Sequence, residues 1–167
     1  MSGRDAPAVT LRPALPADVP QVLAFVRELA EYERLADAVV ADEAGFAAAL
    51  FGDRPDAEVV LAEVDGAPAG FALFFHNFST FLGRRGLYLE DLYVRPAHRG
   101  RGIGRRLMTH LAALAVERGC GRFEWAVLDW NAPAIGFYRA LGAVGQDTWT
   151  VQRLKGEALR QLARTTV

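Results

Sequence analysis

The chain has 167 residues, a one-domain length that is enough to bury a core, and 51% of them are hydrophobic. The net charge of −1 excludes bulk electrostatic attraction to nucleic acid or to anionic lipid. There is no apolar run of membrane-spanning length and no signal-peptide core, and the single Cys120 excludes an internal disulfide. We therefore expect a cytoplasmic protein with no nucleic-acid partner and no membrane contact.

The first half of the chain predicts three strands and two helices. Asp18 is a plausible N-cap before apolar residues that recur at helical spacing from Val19 to Leu29. Asp65-Gly66 is a strong hairpin signal between two β-rich runs. In chain order, the predictions are a loose N-terminus over residues 1–8, a strand over 9–12, a helix from 18, a second helix over about 42–50, and strands over 58–64 and 67–75.

The second half continues the alternation of strands and helices. Gly119 and Gly142 are predicted to end two helices, since glycine is favoured just past a helix C-terminus. In order, we predict a strand over 86–94, a helix over 103–117, a strand over 122–128, a short helix from Pro133, a last strand over 149–154 and a helical tail. This order predicts a single α/β domain over residues 1–167 with a mixed central sheet.

A glycine-rich stretch, Arg99-Gly100-Arg101-Gly102-Ile103-Gly104, joins the strand over 86–94 to the helix over 103–117. Glycine leaves room for another molecule to approach the backbone closely. The first turn of a helix leaves its N–H groups unpaired and carries partial positive charge. Together these features predict a cradle for a phosphate or pyrophosphate.

Two familiar phosphate-binding loops fit this stretch badly. A P-loop needs Gly-Lys-Ser/Thr, and the only lysine is Lys155, far downstream. A dinucleotide-binding fingerprint lacks its third glycine, since Leu107 stands there, although Glu124 lies at the spacing of a ribose-binding acid. A nicotinamide-dependent enzyme and a glycine-rich turn without a ligand therefore stay open as alternatives.

The pattern Arg-x-x-Gly-x-Gly is similar to the acetyl-CoA loop of the GNAT superfamily of N-acetyltransferases. Further segments resemble the spermidine/spermine (diamine) acetyltransferase branch, so that the resemblance extends from Leu11 to about Leu154. These segments are 12–14 with 17–18, 28–33, 88–94, 129–133 and 137–143. The resemblance implies a single-domain GNAT fold, with about six to seven strands in a mixed central sheet and about four flanking helices. It also implies acetyl-CoA as co-substrate, a small-molecule amine substrate and a homodimer.

Glu90 and Asp91 are adjacent carboxylates on the strand over 86–94, and regular pleating predicts that they point to opposite faces. A carboxylate in an otherwise apolar run costs free energy unless it is paired or solvated. Glu90 is therefore either a salt-bridged strand residue or a group that holds a cationic amine and takes its proton. An alkylamine has a pKa of about 10 and must lose a proton before it attacks a thioester.

The resemblance implies roles for further residues. Tyr138 is the general acid that protonates the CoA thiolate, and Glu90 is the second catalytic residue. The residues implied to bind acetyl-CoA are Leu92, Tyr93, Val94, Arg99, Gly100, Arg101, Gly102, Ile103, Gly104, Arg105, Asn131, Pro133, Ala134 and Tyr138. Those implied to bind the amine are Tyr32, Glu33, Glu90, Glu124, Trp125 and Ala126. Each has an ordinary structural alternative, such as a core tyrosine or a solvated basic cluster.

One loop departs from the polyamine enzymes. Where they carry an Asp and a Trp, this chain has the segment 77–82, in which Phe81 keeps an aromatic group and the acidic group is lost. The loss makes a shorter amine of fewer charges, such as a diamine or a lysine analogue, as good a candidate as a polyamine.

We therefore expect an acetyl-CoA-dependent N-acetyltransferase in which a primary amine of a small cation attacks directly in a ternary complex. The alternatives are a catalytically silent acetyl-CoA-binding sensor and a protein or peptide N-acetyltransferase. We expect no metal, because His76, His98 and His110 lack metal-ligand spacing with each other or with Cys120.

Overall fold

The structure, a computed structural model, describes residues 8–165. The described chain divides after Ala126 into two compact units, which we call the N-terminal and C-terminal units. The N-terminal unit contains β1 (Val9–Pro13), α1 (Val19–Tyr32), α2 (Glu43–Phe51), β2 (Glu58–Val64), β3 (Ala67–Ser79), β4 (Arg84–Val94), α3 (Ile103–Glu117) and β5 (Phe123–Trp125). The C-terminal unit contains α4 (Ala132–Ala140) and α5 (Gly156–Arg164).

The five strands form one mixed sheet in the order β1-β2-β3-β4-β5. The first four strands pair antiparallel, and β5 pairs parallel to β4. On one face a core cluster joins Val22, Phe25 and Leu29 of α1 to strand residues that include Phe71 and Leu73. We call this the α1 face, while α3 contacts β2, β3 and β4 through its own buried side chains.

Local sequence signals account for several element boundaries. The Asp42 side chain accepts a hydrogen bond from the N–H of Gly45 at 2.7 Å and so caps α2. Asp65 and Gly66 both have positive φ, 50° and 80°, as a two-residue hairpin turn between twisted strands requires. Gly119 adopts a φ of 69° just past α3, where a residue with a Cβ would be strained.

The prediction of an α/β fold with a mixed sheet is confirmed, but its element counts differ. Residues 8–165 contain five strands and five α-helices, whereas we expected about six to seven strands and about four helices. The predicted strand over 149–154 is wrong, because no strand is present there and Trp149 and Val151 are 78% and 81% exposed. The predicted strand over 122–128 is reduced to β5, and the predicted loose segment 1–8 lies outside the described residues except for Ala8.

Within residues 8–165, no three or more His, Cys, Asp or Glu side chains are grouped so that they could hold a metal ion. No helix in the same range is both long enough and apolar enough to cross a membrane.

Candidate active site

The pairing of β3 with β4 shifts by one residue at Glu90. Leu73 lies opposite Asp91 and Phe74 lies opposite Leu89, so Glu90 is an extra residue on β4. Such a β-bulge interrupts the alternation of side chains along the strand. The expectation that Glu90 and Asp91 point to opposite faces assumed a regular pleat, which the bulge removes.

Asp91 is the most perturbed carboxyl group near the bulge. Its position opposite Leu73, a member of the core cluster, places it on the α1 face. Burial, together with the negative charges of Glu90 and Glu33, raises its pKa from the ordinary 3.8 to about 6. Burial also raises the pKa of Glu33, which is the C-cap residue of α1. The structure thus brings the predicted residues Glu33 and Glu90 together around Asp91.

Sequence reasoning did not assign a role to Asp91. The signal that could have found it is a second carboxylate inside an apolar strand, which needs a compensating partner or a function. The raised pKa of Asp91 depends on the register of β4 against β3 and on α1, and neither can be read from the sequence of β4 alone.

The edge of β4 that faces β5 is paired only in part. β5 pairs with Leu87, Tyr88 and Leu89 and then ends, so the described β4–β5 ladder stops just before the bulge. Beyond it, Leu92, Tyr93 and Val94 pair on their other side with β3. In a strand, backbone N–H and C=O groups on an unpaired edge are available to an extended ligand. Leu92, Tyr93 and Val94, which the resemblance implies as contacts of acetyl-CoA, lie on this part of β4.

The glycine-rich loop forms an uncapped helix N-terminus. Gly100 and Gly102 both have a φ of 75°, and Gly102 is the N-cap of α3 without a side-chain capping bond. A Cβ at either glycine would meet no atom within 4 Å, so the space beside them is open. The first N–H to bond back into the helix is that of Arg106, to the carbonyl of Gly102 at 3.0 Å. The N–H groups of residues 103–105 therefore stand at the positive end of the helix dipole.

The arginines of the loop differ in their surroundings. Arg99 donates from Nε to the carbonyl oxygen of Val94 at 2.9 Å. Its guanidinium carbon lies 5.1 Å from the ring centre of Tyr32 and 5.8 Å from that of Tyr93. Arg99 thus links the end of α1 to the end of β4, whereas Arg101 and Arg105 are exposed at the helix N-terminus.

The predicted amine-side residues of β5 separate onto two faces. Glu124 lies opposite Tyr88 on the α1 face. There its Oε1 lies 2.7 Å from Arg122 Nε and 3.3 Å from Asn77 Nδ2. Trp125 is the next residue, so its side chain lies on the other face of the strand, with its ring 4.9 Å from that of Phe123. The structure does not bring Trp125 to the face of Glu124, and Ala126 follows the end of the strand.

The C-terminal unit holds the remaining predicted residues around α4. Asn131 is buried and caps the helix, because its Oδ1 accepts from the N–H of Ala134 at 3.3 Å. Pro133 lies in the first turn, where its missing N–H is not needed. Tyr138 is half-buried on the same helix, with its ring centre 5.3 Å from that of Phe137.

The N-terminal unit contains a cavity of about 750 Å³. Its lining includes His76, His110, Leu114 and the ion pair of Arg118 with Glu58, and no predicted site residue. Arg118 already donates to both carboxylate oxygens of Glu58, so the pair has a structural role in joining α3 to β2.

Comparison with known proteins identifies the family. A profile of the acetyltransferase (GNAT) family matches residues 23–143. The chain is 40% identical to thialysine N-epsilon-acetyltransferase of Sus scrofa, over 93% of this chain and 98% of that protein. It is 33% identical to L-ornithine N5-acetyltransferase NATA1 of Arabidopsis thaliana, over 94% of this chain and 89% of that protein.

Two further matches are a human relative and a solved structure of the same fold. A human spermidine/spermine N(1)-acetyltransferase-like protein 1 is 31% identical over 92% of this chain, which spans 23% of that longer protein. Among solved structures, the integron cassette protein VCH_CASS6 from the mobile metagenome of V. cholerae superposes with a TM-score of 0.79. It is 28% identical and covers 96% of this chain and 100% of its own. The resemblance predicted from the sequence is confirmed: the chain belongs to the acetyltransferase (GNAT) family, whose members use acetyl-CoA, and is an N-acetyltransferase of the diamine acetyltransferase branch.

Proposed function

We propose that this enzyme acetylates a primary amine of a small cationic substrate, a diamine, a polyamine or a lysine analogue, by direct attack in a ternary complex. The observation that carries the proposal is the β-bulge at Glu90. It places two carboxylates, Glu90 and Asp91, immediately before the open edge of β4. A carboxylate here can take the proton of the substrate ammonium. The neighbouring backbone edge can pair with an extended thioester ligand, which donates the acetyl group to the neutral amine.

Acetyl-CoA is proposed to bind along β4 and α3. The backbone of Leu92, Tyr93 and Val94 pairs with the amide groups of the pantetheine arm, as an added strand would. The N–H groups of the first turn of α3 bind the phosphates, with Arg101 and Arg105 adding positive charge. When bound, the co-substrate supplies an acetyl thioester to the nucleophile.

The carboxylates on the α1 face are proposed to bind and deprotonate the amine. Glu33, Glu90 and Asp91 attract the ammonium, whose pKa is about 10 in water. Asp91, with a pKa of about 6, is a stronger base than an ordinary carboxylate and is suited to accept the proton near neutral pH. Tyr138 is proposed to protonate the CoA thiolate, and Asn131, Pro133 and Ala134 to contact the co-substrate.

The names of the relatives support the substrate class. Thialysine and L-ornithine are amino acids whose side chains end in a primary amine, and spermidine and spermine are polyamines. All present a primary ammonium on a flexible stem. A single acetyltransferase domain over both units is proposed because the family profile, residues 23–143, continues past Ala126. We further propose a cytoplasmic homodimer, which sedimentation at micromolar concentration tests.

The test is release of CoA thiol from acetyl-CoA in the presence of separate amines: spermidine, spermine, putrescine, thialysine, lysine, ornithine and short peptides. We expect release with a small amine and a loss on the order of 10²-fold in kcat/KM in Glu90→Gln and Asp91→Asn. Glu43→Gln, an exposed residue of α2, is the matched control and should keep full activity. Acetyl-CoA that raises the Tm without any thiol release would support the silent module instead, and preference for peptides would support a peptide acetyltransferase.

A further inference from the structure

The α1 face carries an ion pair to which the mechanism above gives no role. Arg122 and Glu124 are two residues apart in and beside β5, so they lie on the same face of the strand. Arg122 Nε lies 2.7 Å from Glu124 Oε1, and the two side chains are 39% and 34% exposed. This half-exposed pair presents a positive and a negative group together.

Asn77 and Gly86 hold this pair in place. Asn77 Nδ2 donates to Glu124 Oε1 at 3.3 Å, the same oxygen that faces Arg122. Asn77 lies opposite Gly86 in the β3–β4 pairing, and a Cβ on Gly86 would collide with Asn77 Oδ1 and come within 3.2 Å of Arg122 Cγ. Glycine at position 86 therefore makes room for both side chains beside Glu124.

The pair of Arg122 and Glu124 lies in and beside β5, the strand next to β4, which carries Glu90 and Asp91. Glu124 is opposite Tyr88, and Glu90 follows Tyr88 by two residues. Two strand residues span about 7 Å and adjacent strands lie about 5 Å apart, so the Cα atoms of Glu90 and Glu124 are separated by roughly 9 Å. The Tyr88 ring, 5.2 Å from that of Phe75, provides an apolar surface between the two groups.

We propose that Arg122 and Glu124, positioned by Asn77, bind the α-carboxylate and α-ammonium of a diamino acid whose side-chain amine reaches Glu90 and Asp91. This inference rests on the proposed function and narrows its substrate to amino acids. The contact with Glu124 engages Nε of Arg122, and the terminal nitrogens of a guanidinium carry further donors that suit a carboxylate. The methylene stem crosses the rings of Tyr88 and Phe75.

The two opposite charges of the pair favour the binding of amino acids over that of polyamines. A polyamine carries only positive charges, so Arg122 repels it and offsets the attraction of Glu124. The head group of an amino acid carries both signs and complements both members of the pair.

The test compares each amino acid with its decarboxylated counterpart: L-ornithine with putrescine, and L-lysine with cadaverine. We expect the wild-type enzyme to favour the amino acids at least tenfold in kcat/KM. Arg122→Gln should abolish this preference by raising KM for the amino acids about tenfold or more, while KM for the diamines stays unchanged or falls. Arg27→Gln, an exposed residue of α1, is the matched control and should keep the wild-type ratio.

The ratio of kcat/KM for two substrates is independent of the fraction of folded enzyme, so partial unfolding of a variant does not obscure the result. Glu124→Gln gives a second measurement and should raise KM for both substrate classes, because the α-ammonium of the amino acids and the distal ammonium of the diamines lose the same partner. Turnover of both substrate classes with the same ratio in wild type and Arg122→Gln would overturn the inference and leave the proposed function standing. Absence of turnover with every amine would instead refute the proposed function, and the inference with it.

Discussion

Replacing Asp91 with Asn should stabilise the folded protein while it lowers activity. Asp91 lies opposite Leu73 on the α1 face, and its pKa is raised to about 6 by burial and by the charges of Glu90 and Glu33. A buried carboxylate whose neighbours are also acidic opposes folding whenever it is ionised. Asn has nearly the same shape and carries no charge. The substitution therefore removes the free-energy cost of the buried charge, and it also removes the proposed base.

The size and sign of the effect follow from the two pKa values of Asp91. The pKa of Asp91 is about 6 in the folded chain and 3.8 in the unfolded chain, so the folded chain binds the proton more tightly. Above pH 6 the ionised group therefore reduces the free energy of unfolding by about 3 kcal/mol, at 1.36 kcal/mol for each pKa unit. The penalty decreases as the pH falls, to about half at pH 5, and disappears below pH 3.8, where both states are protonated.

The assay is urea or thermal unfolding of wild type and Asp91→Asn at pH 7.5, 6 and 5. A gain of about 3 kcal/mol at pH 7.5 corresponds to an increase in Tm of about 6–12 °C for a chain of this size. Asp53→Asn, in an exposed turn, is the matched control and should change stability by less than about 0.5 kcal/mol at every pH. A variant equally or less stable than wild type at pH 7.5, or a gain that does not vary with pH, would refute this account of Asp91.

Three further predictions concern the co-substrate loop, the ion pair of Arg95 with Glu28 and the proposed catalytic acid. Gly102→Ala should cost about 1–2 kcal/mol, because φ is 75° there, and should raise KM for acetyl-CoA, as measured by unfolding and by initial rates. Arg95→Ala should cost about 2 kcal/mol, because Arg95 donates to Glu28 at 2.7 Å and lies 4.7 Å from the ring centre of Phe25; denaturant unfolding measures this. Tyr138→Phe should lower kcat by about 10²-fold and leave acetyl-CoA binding unchanged in calorimetry; an unchanged kcat would remove Tyr138 as the acid.

Elements with local signals could be predicted from the sequence. The helix predicted over 103–117 is α3 to the residue, because its glycine-rich start and Gly119 at its end lie within or beside the element. The hairpin at Asp65-Gly66 was likewise predicted, since the turn type follows from those two residues. The glycine-rich loop also directed attention to the N-terminus of α3 before any fold was known.

Features that depend on a distant partner could not be predicted. The bulge at Glu90 depends on the register of β4 against β3, and the sequence of β4 alone favours a regular pleat. The perturbed Asp91 follows from that pairing, and the contact of Asn77 with Glu124 joins β3 to β5, which are far apart in the sequence. The segment 149–154 has the aromatic and β-branched composition of a strand, but a strand also needs a paired edge, which these residues do not have in the described chain.

The central claim is that the amine attacks the acetyl thioester directly in a ternary complex. Mixing the enzyme with carbon-13-labelled acetyl-CoA, first alone and then with L-ornithine or putrescine, tests it by mass spectrometry of both protein and small molecules. We predict no label on the protein in the absence of amine and, after addition, an amide on the terminal nitrogen with one free CoA thiol for each product. Label on Cys120 or any other residue before the amine is added, or no labelled amide afterwards, would contradict the account.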